Sequence, residues 1–260
     1  MKEKIMPALF VGHGNPMYAI ENNQFTQTWE KLGKEIPKPT SIICISAHWE
    51  TYGTYVTGME NPKTIHDFGG FPQALFDVEY SVKGNPDLAK KIIEIIKSKD
   101  IKIDFSNWGL DHGAWSILVK MYPKADIPVI QVSLDRNATP EEHYKLAKEL
   151  SKLRKEGILF ICSGNIIHNL RMVDWRNEKN QYDWAKNVSE SVKAKILNRN
   201  HKSLINFNSE NDEYKLAINS AEHFIPLIYL LGLENDTDEI SFFNDEILMG
   251  SLSMTSVMLK

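Results

Sequence analysis

The run Ser41-Ile42-Ile43-Cys44-Ile45-Ser46-Ala47-His48 is the segment most diagnostic of the fold. It is apolar with almost no alternation and rich in β-branched residues, which is the pattern of a strand buried on both faces. Such a strand needs helices above and below it, and so belongs in a layered α/β sheet. The run ends on His48, a polar side chain that needs a reason to sit at the end of a buried strand.

Working outward, similar runs occur at 8–11, 53–58, 101–105, 127–134 and 158–162, and a last apolar-rich stretch covers 247–259. Helical periodicity fills several of the gaps. Residues 86–98 put Leu88, Ile92, Ile95 and Ile96 on one face, with Asn85 as N-cap before Pro86. Thr139-Pro140-Glu141-Glu142 opens a helix expected to run to Glu156 and stop at Gly157. Residues 184–197 and 222–231 complete the set, the latter ending at Gly232. The expected fold is therefore α/β: a single layered domain whose central, mostly parallel or mixed sheet has helices on both faces. Antiparallel strands are allowed at the chain end, and no linker or repeat divides the chain.

Five segments set a histidine beside small or turn-forming residues: Gly12-His13-Gly14, Ser46-Ala47-His48-Trp49, Asp111-His112-Gly113, Gly164-Asn165-Ile166-Ile167-His168-Asn169 and Glu222-His223-Phe224. In parallel sheets, ligands gather beyond the carboxyl ends of the strands. His13, His48 and His168 each follow a strand run, so the rule brings them to one rim. Gathered neutral imidazoles bind transition metals, which points to a metal-dependent enzyme. His223 is expected in a first helical turn capped by Ser220, where the helix dipole favours the neutral ring. Asp111 reads either as the orienter of a histidine or as a helix cap. Asn165 and Asn169 read either as polar contacts for water or substrate or as turn closers.

The remaining histidines separate by context. His66 lies in the glycine- and phenylalanine-rich loop 64–72, which is able to fold over a pocket and touch a substrate. His143 is expected on an amphipathic surface helix and His201 in an exposed polar loop, both without chemistry.

Composition narrows the function classes. With 260 residues, 42% hydrophobic, the chain can bury a large core. A net charge of -4 and a pI near 6.1 argue against nucleic-acid and anionic-membrane partners. Cys44 and Cys162 lie inside apolar runs and read as small buried hydrophobes. No Cys-x-x-Cys occurs, which excludes a zinc ribbon or dithiol redox site. Without a signal peptide or membrane-span pattern, the expected location is a reducing cytoplasm.

Taken in order, the motifs at 7–16, 45–50, 66–75, 109–115, 163–175 and 222–232 resemble the class III extradiol ring-cleavage dioxygenases of the LigB-like superfamily, in their 4,5-DOPA extradiol branch. The resemblance implies one LigB-like catalytic domain over 1–260 that opens a small catecholic, DOPA-like ring with O₂ at a mononuclear non-haem metal. It implies that His13, His48 and His223 surround the metal, with His168 beside it as a further ligand or as acid/base. His112 is implied to hydrogen-bond oxygen or substrate. Fe(II) is the metal expected for activity, although an all-histidine site also suits Zn(II). The protein is expected to be a monomer or small homo-oligomer. Arg171 and Arg136 are the candidates, by elimination, for holding a substrate carboxylate. Two other readings stay open on the residues alone: a zinc hydrolase with His112 or Glu50 as base, and a non-catalytic LigB-like binding protein.

Overall fold

The computed structural model of the protein describes residues 5–260. Ten strands are present among them: β1 (Ala8–Gly12), β2 (Ser41–Thr51), β3 (Thr54–Thr57), β4 (Ile101–Asp104), β5 (Val129–Asp135), β6 (Ile158–Gly164), β7 (Ile240–Phe243), β8 (Ile247–Leu248), β9 (Leu252–Ser253) and β10 (Ser256–Leu259). Eight of them form one sheet in the order β4-β3-β5-β2-β6-β1-β10-β7, and β8 pairs with β9. The middle strands β5, β2, β6 and β1 run parallel, while β3 opposes β5 and β10 opposes β1. The sheet is thus mixed, with a parallel centre and a second parallel pair, β3 with β4, at one edge. The edge strand β7 escapes the sequence reading because Ile240-Ser241-Phe242-Phe243 is short and only half-buried.

Helices cover both faces: α1 (Gln24–Glu35), α2 (Gln73–Phe76), α3 (Pro86–Ile95), α4 (His112–Met121), α5 (Pro140–Leu150), α6 (Asp183–Leu197), α7 (His201–Ile205), α8 (Asp212–Ala217) and α9 (Ile225–Leu233). Alternate residues of each central strand feed two cores. Phe10, Ile43 and Phe160 pack with α3, α5, α6 and α9, whereas Leu9, Ile42 and Ile161 pack with α1 and α4. The two cysteines fall on opposite faces, Cys44 towards α4 and Cys162 towards α9, and both are buried, unpaired thiols.

Caps explain where helices begin. Asn85 Oδ1 accepts from Leu88 N at 3.0 Å, and Thr139 forms a capping box with Glu142, as the sequence suggests. Several boundaries differ from expectation. Helix α3 ends at Ile95 because Ile96 turns extended. Helix α5 ends at Leu150, and the chain tightens into a 3-10 turn, Ser151–Glu156, before Gly157 stops it at φ 80°. Gly232 lies inside α9 and does not end it. A Cβ there would stand 2.6 Å from the Tyr144 carbonyl oxygen, so this glycine lets α9 press against α5. Every residue of α9 is buried, hence its apolar surface on all sides.

His48 does not end its strand either. β2 continues to Thr51 past an irregular register with β5 between Ile45 and Glu50. Irregularities of this kind re-aim side chains, which fits a histidine turned out of a buried strand.

Two histidines expected at the surface are not there. His143 is buried, with Nδ1 3.2 Å from the Tyr229 hydroxyl, and burial pushes its pKa down to about 4. His201 begins α7, its Nδ1 3.0 Å from the Tyr144 hydroxyl and its Nε2 2.7 Å from Glu234 Oε2. Both look polar in sequence because their partners come from distant segments. His143 makes stability pH-dependent. Between its unfolded value near 6.5 and its folded value near 4, the unfolded chain takes up the proton first, so stability falls as pH drops through that window. We expect the wild type to lose about 2 kcal/mol more than His143→Gln between pH 7.5 and pH 5, measured by urea unfolding.

Candidate active site

The carboxyl ends of β1, β2 and β6 meet at one rim, with Gly12 beside Gly164 and Ser46 beside Ser163. His13 leaves the end of β1, and His48 turns out of β2 two residues beyond Ser46. His112 opens α4, and His168 follows β6 through a short turn. His223 sits in the turn before α9 rather than in a capped first turn. Ser220 Oγ donates to Glu222 Oε1 instead of capping the helix. What fixes His223 is its backbone: Asn165 N donates to its carbonyl at 2.9 Å. Gly164 makes that approach possible, since a Cβ there would lie 2.2 Å from the same oxygen. Gly113 plays a similar part at α4, where a Cβ would stand 2.4 Å from Ser46 Oγ.

All five histidines therefore surround one cavity of about 370 Å³. The rings of His13, His48 and His223 form a nearly equilateral triangle, with centroids 5.0, 5.2 and 5.2 Å apart. Each has a polar neighbour at Nδ1: Ser163 Oγ at 3.0 Å for His13, Asp67 Oδ2 at 3.4 Å for His48 and Glu222 Oε1 at 3.2 Å for His223. An ionised carboxylate only accepts, so a neutral ring beside it carries its proton on Nδ1 and leaves Nε2 bare. His223 Nε2 is buried with no partner among the described residues. His13 Nε2 and His48 Nε2 face each other at 3.2 Å. Where both are bare, two lone pairs meet there, an arrangement that a cation relieves.

Burial and the neighbouring imidazoles hold His13 and His48 well below the usual histidine range, and burial beside His223 brings His168 to about 3. These rings are neutral at neutral pH, the form that ligates metals. Glu222 stays ionised: its burial opposes the charge, but hydrogen bonds with His223 and Ser220 outweigh it and hold the carboxyl at about 2. The donor set therefore fits a transition metal. Potential ligand atoms lie within 4.8 Å of one another in two groups, His13 with His48 and His112, and His168 with Glu222 and His223.

Asp67 is the site residue that sequence reading missed. Its Oδ1 accepts from His112 N at 2.9 Å, and its Oδ2 lies 3.0 Å from His112 Nδ1 as well as near His48. Burial opposes its charge, yet the hydrogen bonds from His112 hold its pKa below the usual range. The available signal was a carboxylate in the loop already expected over the pocket. We expect Asp67→Asn to weaken metal affinity by about 10–100-fold, read by chelator competition. Unchanged affinity would remove Asp67 from that role.

Other expectations sort themselves plainly. Asp111 is a cap: Oδ1 accepts from Ala114 N at 3.2 Å and from Ser46 Oγ at 2.7 Å, which ties α4 to β2. Asn169 closes a turn through Arg171 N and the Leu216 carbonyl. Asn165 lines the cavity, and its Oδ1 has no partner among the described residues. His66 does not line the cavity; its Nε2 lies 3.0 Å from the Val78 carbonyl oxygen, and Phe68 and Phe71 of the same loop reach the cavity instead. Neither arginine lines it. Arg136 pairs with Glu50 at 3.3 Å, and Arg171 is exposed.

Residues 7–251 match the family model of the catalytic LigB subunit of aromatic ring-opening dioxygenase. The chain is 44% identical to the 4,5-DOPA dioxygenase extradiol of Escherichia coli (strain K12), over 99% of this chain and 96% of that one. It is 33% identical to the Beta vulgaris protein of the same name, over 98% and 97%. The crystal structure of an uncharacterized Escherichia coli K12 protein superposes with a TM-score of 0.86 at 39% identity, covering 98% of this chain and 100% of that one. The chain belongs to the LigB family of aromatic ring-opening dioxygenases.

Proposed function

We propose that His13, His48 and His223 hold a single non-haem Fe(II), and that the enzyme opens a catechol of the DOPA type there. The observation that carries this reading is the triangle of rings, with His223 Nε2 buried and without a partner among the described residues and the Nε2 atoms of His13 and His48 converging to 3.2 Å. Fe(II) in such a site would chelate both catechol oxygens, lower their pKa and bring O₂ to the ring. Zn(II) fits the same three nitrogens, so the Fe(II) assignment rests on the ring-opening reaction and not on the donors.

His168 stacks on His223 with centroids 3.5 Å apart and planes within 8°. One cation cannot lie in both of two parallel ring planes, so the stacking favours His168 as acid/base over His168 as ligand. In that role it takes a hydroxyl proton from the bound catechol and returns it as the ring opens. His112, oriented by Asp67, faces the same space and hydrogen-bonds oxygen or substrate. Asn165 Oδ1 accepts from a substrate hydroxyl, and Phe68 and Phe71 exclude water. Both atoms of O₂ enter the product, one in a carboxylate and one in an aldehyde, as the ring bond beside the two hydroxyls breaks.

The unit doing this is one catalytic domain over 1–260, acting as a monomer or small homo-oligomer in the cytoplasm. Its two buried, unpaired thiols support a reducing location. Among the described residues no helix is long and apolar enough to cross a membrane.

The test is O₂ uptake by anaerobically prepared protein reconstituted with Fe(II), given L-DOPA and a small catechol panel, with Zn(II)-loaded protein as control. Iron-dependent uptake matched by a new visible absorption band is expected. A fully loaded site that consumes no O₂ with any catechol would favour zinc hydrolysis or plain binding.

A further inference from the structure

We infer that Tyr18 and Asn15 read the substituent of the catechol, the Tyr18 hydroxyl taking an ammonium group and the Asn15 amide the carboxylate of an amino-acid side chain. The inference rests on the ring-opening reading above and adds the residues that hold the substrate's far end. Tyr18 lines the cavity and is only 7% exposed, yet its hydroxyl has no hydrogen-bond partner among the described residues. A buried hydroxyl without a partner has given up its bonds to water, and a polar ligand group restores them. The chain fixes this ring in place. Tyr18 lies in the 3-10 turn Pro16–Ala19 and stacks on Phe25 with centroids 5.7 Å apart. It also runs so close to Gly14, at φ 62°, that a Cβ there would stand 2.9 Å from its Cε2. Gly14 follows His13, so one short segment carries a proposed metal ligand and both contacts to the far end.

Charge decides which end of the amino-acid group goes where. Burial, and then the carboxylates of Glu178, Glu21 and Glu246, push the Tyr18 pKa up, so its hydroxyl stays protonated and neutral. The backbone holds these glutamates beside the cavity. Glu21 N donates to the Met17 carbonyl at 3.0 Å, and the Glu178 and Glu246 carbonyls accept from the cavity-lining Met249 N and Met254 N at 2.8 Å. Gln24 Nε2 lies 2.9 Å from both Glu246 oxygens but is uncharged, so the negative charge there remains. Among the described residues no lysine or arginine lines the cavity to offset this field. The field therefore favours a cation beside the Tyr18 oxygen, whose lone pairs accept from an ammonium. Asn15 lines the cavity too. Its Oδ1 accepts from Met17 N at 2.9 Å as the cap of the turn, while its Nδ2 has no partner among the described residues. An amide donor so placed suits a carboxylate.

The test is anaerobic calorimetric titration of the Zn(II)-loaded full chain with L-DOPA, 3-(3,4-dihydroxyphenyl)propionate, dopamine and 4-ethylcatechol. The first two differ only by the ammonium, and so do the last two. We expect the ammonium to tighten binding about tenfold or more in each pair, the usual worth of a hydrogen bond to a charged group. Tyr18→Phe, which removes only the hydroxyl, is expected to cut both ratios by about fivefold or more. Asn15→Ser keeps a capping oxygen but loses the amide donors, and should weaken L-DOPA against dopamine by about threefold or more. Equal or weaker binding of the ammonium member in either pair would overturn the inference. Ratios that survive Tyr18→Phe would do the same, as would failure of all four to bind. An L-DOPA to dopamine ratio unmoved by Asn15→Ser would overturn the carboxylate half. Parallel O₂ uptake with Fe(II) separates the two levels. Absent uptake with the ratios and their Tyr18→Phe loss intact refutes ring opening alone, whereas brisk uptake with equal binding within each pair refutes only this subsite.

Discussion

Alanine at His223 is expected to empty the metal site and lower turnover by about 10³-fold or more, a barrier increase of about 4 kcal/mol. Three features concentrate the effect on this residue. Its Nε2 is buried without a partner, its Nδ1 lies beside an ionised Glu222, and its backbone is locked by Asn165 N against Gly164. His168, stacked face to face on it, would need its whole loop to turn before its lone pair reached the same point. His13→Ala and His48→Ala should act in the same direction, each weakening metal affinity by about tenfold or more. Metal content by mass spectrometry, before and after dialysis against a chelator, reads the loss directly. Full occupancy in all three variants would sink the ligand assignment, whatever the activity did.

The second large effect separates proton handling from metal binding. His168→Ala should lower kcat by about 10²–10⁴-fold while metal content stays at the wild-type level. In the resting site, burial and His223 hold the His168 pKa near 3, so its lone pair is free but weakly basic. An anionic catecholate beside it would raise that pKa and make it a stronger base as the substrate arrives. Metal binding and turnover lost together would make His168 a ligand. Turnover retained would remove it from the chemistry.

Both expectations start from positions legible in the chain. The parallel centre of the sheet announces itself because β1, β2 and β6 are apolar on both faces, and a histidine just beyond such a strand has few structural excuses. Asn85 and Thr139 announce their helices by cap chemistry that is local in sequence. What stayed hidden depends on distant partners. Asp67 matters only because α4 brings His112 to it, and His143 looks solvent-facing until Tyr229 of α9 closes over it. Gly232 reads as a helix stop until the Tyr144 carbonyl is seen against it. The continuation of β2 beyond His48 was equally invisible, since an irregular register has no composition of its own. Helix α1 escaped notice although Asn23 and Thr26 form a full capping box, because its polar positions mask the buried face of Phe25, Trp29 and Leu32.

The proposed reaction is ring opening by insertion of both atoms of O₂ at the proposed His13, His48 and His223 centre. Its most direct test is mass spectrometry of the product formed from a catechol under ¹⁸O₂ by Fe(II)-loaded protein, with immediate borohydride reduction to block exchange of the aldehyde oxygen. Label in both new oxygen positions is expected, and no product from His223→Ala. A product labelled once or not at all would contradict it.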